Sequence, residues 1–151
     1  MAAEVGSKAP DFTLTNQDRQ PVTLSAERGH PVVLAFFPAA FSSVCQKELC
    51  TFRDSMGQLN SAKAHVFGIS VDTFFALKAF YDQQHFTFPL LSDWGGDVTK
   101  QYGLYNPKYK AARRINYLID KEGKVVEMQI DNEAIDPAKI VTLCERRKSE
   151  K

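Results

Sequence analysis

With 151 residues, 44% hydrophobic and 25% charged, the chain has the size and composition of one globular domain that can bury an adequate core. A formal net charge of +1 gives no reason to expect nucleic acid or an acidic membrane as a partner. No segment approaches the roughly 20 apolar residues of a bilayer span, MAAEVGSKAP lacks an apolar signal core, and three cysteines do not make a disulfide framework. The expectation is a cytoplasmic protein in which residues 1–151 form a single domain, without a resident metal or cofactor.

Residues 1–30 carry turn signals between two short β-prone pieces, Phe12 to Leu14 and Val22 to Leu24, with Asn16, Gln17 and Asp18 between them. They predict a small hairpin laid beside a main sheet. Val32 to Phe37 is an unbroken apolar run rich in branched and aromatic side chains, the pattern of a strand covered on both faces. Pro38 ends it, having no N–H for the ladder. Cys45, Leu49, Phe52, Met56 and Leu59 then recur at spacings of four and three, which predicts one helix with an apolar stripe and turns Cys45 toward the sheet. Ser42 and Ser43 are both available as N-caps. Cys45 therefore sits in the first turn, where free backbone N–H groups and the positive end of the helix dipole favour an anion over a thiol. A cysteine in an apolar stripe is otherwise a small buried hydrophobe, and position alone leaves both readings open.

His65 to Val71 predicts a second buried strand, and Asp72 and Thr73 can cap a helix carrying Phe74, Leu77 and Tyr81 to about Gln84. Strand, helix, strand, helix in this order implies parallel pairing through right-handed crossovers. Phe88 to Leu91 reads as a short extended piece, Asp97 to Tyr102 as a brief helix stopped at Gly103, and Leu104 to Arg113 as polar and irregular. Ile115 to Asp120 and Lys124 to Ile130, with a turn at Lys121 to Gly123, predict an antiparallel hairpin. Asp136 as N-cap and Pro137 at the first helical position open a last helix that places Ile140, Leu143 and Cys144 on one face, making Cys144 a core residue. The class is α/β, a central mixed sheet flanked by helices with an N-terminal β-hairpin extension.

Pro38, Ser42 and Cys45 stand as P-x-x-x-S-x-x-C, which resembles the active-site motif of the peroxiredoxin (AhpC/TSA) family. The resemblance runs through GSKAPDFTL, FFPAAFSSVCQKELCTFRD, GISVD, LLSD and RINYLIDKEGKV, in the family's order. It implies a thioredoxin fold and a thiol peroxidase that reduces hydrogen peroxide or small alkyl hydroperoxides. In that chemistry a thiolate attacks one peroxide oxygen while fixed donors stabilise charge on the departing one. Cys45 would supply the thiolate. The backbone amides near Val44 and Cys45, the Ser42 hydroxyl and a guanidinium would supply the donors. Arg114, just before the strand Ile115 to Asp120, matches the family's active-site arginine, with Arg113 the lesser candidate. Pro38 would shield the thiolate. Glu48, one turn after Cys45, can reach back to the first turn or pair with an arginine, although a glutamate on a helix surface is usually solvated.

Cys50 decides the subtype. It lies five residues on from Cys45, about 140° around the helix and about 7.5 Å along it, a rise beyond the roughly 4.4–6.8 Å Cα separation that a disulfide tolerates. A Cys45–Cys50 bond therefore requires the helix to unwind. The same spacing resembles the bacterioferritin-comigratory-protein (PrxQ) branch, which implies that Cys50 resolves a Cys45 sulfenic acid and that a thioredoxin-like or glutaredoxin-like partner recycles the disulfide. FFPAAF also resembles the alkyl hydroperoxide reductase E branch, which implies one cysteine and an external thiol. Placement on the polar side makes Cys50 solvent-accessible, and a surface cysteine with no role also stays open. Phe41 and Trp94 are apolar residues able to lie in a homodimer surface.

Rival chemistries fit less well. No C-x-x-C pair exists, and His30, His65 and His85 are not spaced with the cysteines as zinc ligands; His65 and His85 read as strand-end and loop residues. The absence of C-x-x-C also argues against a thioredoxin-type dithiol oxidoreductase. A thioredoxin fold used as a non-catalytic holdase or adaptor is the alternative from another class.

Overall fold

Hydrophobic alternation in one strand organises the molecule, a computed structural model that describes residues 3–148. In chain order the elements are β1 (Thr13–Asn16), β2 (Pro21–Thr23), β3 (Val32–Phe36), α1 (Ser43–Asp54), α2 (Met56–Ser61), β4 (His65–Ser70), α3 (Phe74–Gln84), β5 (Leu90–Ser92), α4 (Asp97–Gln101), β6 (Tyr105–Asn106), β7 (Ala111–Ala112), β8 (Ile115–Ile119), β9 (Val125–Ile130) and α5 (Ala138–Lys148). Single 3-10 turns lie at Leu24–Glu27 and Asp131–Ile135.

Among the described residues, seven strands form one mixed sheet in the order β2-β1-β5-β4-β3-β8-β9. β3 pairs in parallel with β4, and β4 with β5, as two strand-helix-strand crossovers require. β8 runs antiparallel to β3, with Phe36 opposite Ile115, and β9 continues that hairpin. The N-terminal hairpin joins the sheet itself, because β1 pairs antiparallel with β5.

Every residue of β3 is buried, and its side chains alternate between two cores. Val33, Ala35 and Phe37 face one side, where α1, α2, α3 and α5 contribute Leu49, Phe52, Leu59, Phe80 and Ile140. Val32, Leu34 and Phe36 face the other, against Phe12, Tyr102 and Tyr117. Each large side chain hidden in this way contributes about 1.5–3 kcal/mol of transfer free energy. A strand with no polar face can sit only between two covered layers, so β3 takes the centre. Phe37 lies past the strand's assigned end, but its N–H still bonds Ile69 O at 2.9 Å, which carries the predicted run through to Pro38.

The elements differ from the sequence expectation in two places. The helix expected to run on to Leu59 breaks at Ser55 (φ −97°, ψ 3°), so Met56 and Leu59 belong to the separate α2. Ser55 is the break and Gly57 follows it in the first turn of α2, residues that hold a helix weakly. Leu104 to Arg113, expected to be irregular, folds back on itself as the two-residue strands β6 and β7. The last helix opens as read, with Ala138 N–H bonded to Asp136 Oδ1 at 3.1 Å, and Cys144 is buried in the core. His65 begins β4, and His85 ends α3 in a left-handed conformation (φ 55°). No helix among the described residues is long and apolar enough to cross a membrane.

Packing around β4 leaves no room at Gly68. A Cβ there would lie 2.8 Å from Leu90 Cδ2 and 3.3 Å from Phe37 Cε1, whereas one at Gly57 in α2 would meet nothing within 4 Å. Gly68→Ala is therefore expected to lower stability by about 1–3 kcal/mol, and Gly57→Ala to raise it by about 0.5–1 kcal/mol. Denaturant unfolding of the two variants measures both, and equal effects would contradict this packing.

Candidate active site

The loop between β3 and α1 is held from both ends. At its end Ser42, in extended conformation (φ −73°, ψ 141°), accepts the Cys45 N–H on its Oγ at 3.3 Å and is the N-cap of α1. Ser43 is the first helical residue. Within the loop Phe41 is left-handed (φ 67°), a conformation costly for a residue with a Cβ and sustained here by its surroundings. Its ring leans on Phe80, with centroids 5.1 Å apart.

A second hold comes from the next strand. Asp72 Oδ2 accepts the Ala40 N–H at 2.8 Å and the Ser70 hydroxyl at 2.7 Å, and the Asp72 carbonyl accepts Ser92 Oγ at 2.6 Å. Asp72 was expected as a helix cap, but Thr73 caps α3, accepting Ala76 N–H at 3.2 Å, and leaves the Asp72 carboxylate to anchor the loop. The sequence signal for this role, an acidic residue two positions past a strand-end serine, was masked by the equally good capping pattern.

Cys45 is fully buried, with its side chain on the sheet side of α1. Arg114 reaches it from the start of β8. Because Phe36 pairs with Ile115, the residue before Ile115 emerges beside the loop that follows β3. Arg114 Nη2 donates to Cys45 Sγ at 3.2 Å and Nη1 donates to Glu48 Oε1 at 2.7 Å. Arg113 turns away and forms a two-pronged pair with Asp131, at 2.9 and 2.8 Å, on the exposed side. Strand alternation thus separates the two arginines and puts Arg114 in the site.

Glu48 corrects the expectation of a solvated surface residue. Its side chain is 0% exposed and forms an ion pair with Arg114, because it occupies the turn of α1 that Arg114 reaches from the start of β8. Burial pushes its carboxyl up to about 7 even though Arg114 acts to lower it. Cys50 also departs from expectation. It is half-buried on α1, packed against the core, with Sγ 3.5 Å from Gln84 Oε1 at the end of α3. Arg53 Nη1 donates to the Gln84 carbonyl at 2.6 Å, so this side of α1 is pinned to α3. Burial raises the Cys50 thiol pKa. Cys45 and Cys50 remain thiols on one intact helix, as their spacing requires.

Pro38 and Arg114 together line a cleft of about 620 Å³ whose other walls include Tyr105, Tyr109 and Ala112. The small β6–β7 hairpin builds that wall. Phe41 (48% exposed) and Trp94 (73%) both lie at the surface. His30 stacks on His65, which bonds Glu27, away from the cysteines. Asn116 and Gln129, paired across β8 and β9, were passed over in the sequence although both are buried; a lone amide in INYLI was the signal available.

A capped helix start that presents a buried thiol to a guanidinium, on a mixed sheet of this order, defines a thioredoxin-fold thiol peroxidase of the peroxiredoxin class. The chain belongs to the AhpC/TSA family, whose profile matches residues 5–128. It is 40% identical over 129 residues to the chloroplastic peroxiredoxin Q of Sedum lineare, covering 85% of this chain and 69% of that one. It is 39% identical over 137 residues to alkyl hydroperoxide reductase E of Mycobacterium bovis, covering 87% and 90%. Among solved structures it is similar to peroxidoxin BcpB of Mycobacterium tuberculosis, with a TM-score of 0.87 and 32% identity over 95% of this chain and 97% of the other.

The Asp72 anchor makes a measurable demand. Asp72→Ala is expected to cost about 1–3 kcal/mol of stability by orphaning the Ala40 N–H, and to slow oxidation of Cys45 by about tenfold or more as the loop shifts. Thermal unfolding and stopped-flow oxidation measure the two, and an unchanged oxidation rate would remove Asp72 from the site.

Proposed function

We propose that the chain reduces hydrogen peroxide and small alkyl hydroperoxides through Cys45, with Cys50 as the resolving thiol and a thioredoxin-like or glutaredoxin-like dithiol as reductant. The observation that carries this reading is the 3.2 Å contact from Arg114 Nη2 to Cys45 Sγ at the start of α1. A guanidinium and the N-terminal amides of a helix both favour the thiolate, the nucleophilic form of cysteine.

Peroxide enters beside Pro38, along the cleft that Arg114 also lines. The Cys45 thiolate attacks the terminal oxygen, the O–O bond breaks, and the alkoxide or hydroxide leaves with its electron pair and takes up a proton. Sulfur keeps the attacked oxygen as sulfenic acid. Arg114 and the backbone N–H groups of the first turn face the charge that develops on the departing oxygen. Ser42 acts by capping: its Oγ holds the Cys45 N–H and with it the orientation of the turn. Pro38 shapes the approach without offering a competing N–H.

In the second step the Cys50 thiol condenses with the sulfenic acid, forming the disulfide and releasing water. α1 must unwind between the two cysteines, which breaks the Cys50 contact to Gln84 and the Arg53 bond to the Gln84 carbonyl. A partner dithiol then restores both thiols by exchange. One observation favours a second reading, recycling by an external thiol with Cys50 as bystander: Cys50 is half-buried and tethered in the wound helix, and burial raises its thiol pKa.

Mass spectrometry after one equivalent of peroxide separates the readings. Cys45→Ser is expected to abolish peroxide consumption, and Cys50→Ser to allow a single round and then stop with thioredoxin. Sustained turnover by Cys50→Ser would establish the external-thiol cycle instead. Arg53→Ala removes a bond from a charged donor worth about 1.5–3 kcal/mol, so Cys45–Cys50 linkage is expected to form about tenfold faster. Quenched-flow thiol counting follows it, and an unchanged linkage rate would show that α1 opens without releasing α3.

A further inference from the structure

One residue touches both the second cysteine and the helix that carries it. Gln84 is the last residue of α3, which closes on the left-handed His85 (φ 55°), so its carbonyl is among those a helix end leaves over. Arg53 Nη1 fills that carbonyl at 2.6 Å. The Gln84 side chain meets the same face of α1 three residues earlier, where Cys50 Sγ donates to Oε1 at 3.5 Å. Residues three apart on a helix are surface neighbours, which lets Gln84 hold Cys50 and Arg53 together.

The two holds act differently. The Arg53 bond is to main chain and keeps the end of α1 wound against α3; α1 stops at Ser55, so the turn it secures is not continued into α2. Helix ends are where local opening starts. The Cys50 bond depends on protonation, because a carbonyl oxygen can only accept and the hydrogen must therefore be on sulfur. Ionising Cys50 in place would set a thiolate against an acceptor. The charged groups nearby do not offset this. Arg53 and Asp54 of α1 act on Cys50 in opposite senses and are bonded to each other at 3.0 Å, and α3 presents the neutral Gln84 amide with the Tyr81 phenol one turn back.

We propose that Gln84 is a positioning residue for the second step of the cycle, its side-chain oxygen keeping the proton on Cys50 and its main-chain carbonyl keeping α1 wound, so that Gln84 sets the lifetime of the Cys45 sulfenic acid. For the disulfide to form, Cys50 must first lose its proton to water. The thiolate then attacks the Cys45 sulfur, the S–O bond breaks, and hydroxide leaves with its electron pair and takes up a proton as water. None of this begins until Gln84 releases the thiol. While it holds, the sulfenic acid stays open to an external thiol or to a second peroxide. Burial, which also raises the Cys50 pKa, acts in the same direction.

The lifetime claim rests on Cys50 as the resolving thiol, whereas the hold on its proton is tested without peroxide, so the two fail separately. In reduced protein carrying Cys45→Ser, alkylation of Cys50 by iodoacetamide is followed against pH by mass spectrometry. Gln84→Asn keeps the amide and the main-chain bond to Arg53 but withdraws the oxygen by one methylene. It is expected to alkylate about fivefold faster at neutral pH, as loss of one hydrogen bond implies, with the whole profile moved to lower pH. Alkylation at the wild-type rate would overturn the proposal, and slower alkylation would do so by placing the amide nitrogen, a donor, against the sulfur. Gln84→Glu, which keeps an acceptor at the same reach, is expected to be no faster than wild type; acceleration there too would reduce the side chain to packing and overturn the proposal. With Cys45 present, one equivalent of peroxide is expected to link Cys45 and Cys50 about fivefold faster in Gln84→Asn and to leave less sulfenic acid for dimedone to trap. Faster alkylation without faster linkage would overturn the lifetime claim. Absence of linkage in wild type would remove Cys50 from resolution and leave the alkylation result standing.

Discussion

The site depends on a single bridge, Arg114 reaching back from β8 to hold Cys45 and Glu48 at once. Cys45 and Glu48 are one turn apart on α1, so both point the same way, and a planar fork of N–H donors can meet both. A lysine at position 114 could satisfy one acceptor but not the pair at fixed geometry. The bridge also ties helix to sheet across 69 residues of chain, which makes the position of the thiol a property of the whole fold and not of its loop.

That bridge is delivered by register. β8 lies antiparallel to β3 with Ile115 opposite Phe36, so Arg114 emerges where β3 gives way to Pro38 and the loop. A slip of one residue would exchange the directions of Arg113 and Arg114 and send the guanidinium to the solvent side. Register here is fixed by burial on both faces of β3 and β8, since every residue of each is buried. Packing of the two cores thus determines the electrostatics of the thiol, and the Asp72 anchor on Ala40 completes the constraint from β4.

Much of this was legible in the residues. Strands with an unbroken apolar run, such as Val32 to Phe37, and helices with clear caps, such as those opened by Thr73 and Asp136, declared themselves through periodicity and capping. The thiol at a helix start and the choice of Arg114 over Arg113 were also readable, the second through resemblance. What failed to show was set by partners distant in sequence. Glu48 looks solvated on a helical wheel until β8 covers it. Cys50 looks exposed until α3 arrives with Gln84. The break at Ser55 and the short β6–β7 hairpin reflect weak local preferences settled by packing, which no local window contains.

The outer margins of the sheet carry a further implication. On one side β2 is three residues long and begins with Pro21, which has no N–H to offer a neighbour. On the other, the start of β9 is occupied by the chain's own N-terminal segment, through Gly6 N–H to Val125 O and Val125 N–H to Ser7 O, both at 2.9 Å. Neither rim is a good template for adding a strand from another molecule. Rims blunted in this way keep transient fraying of the sheet margins from seeding runaway self-association.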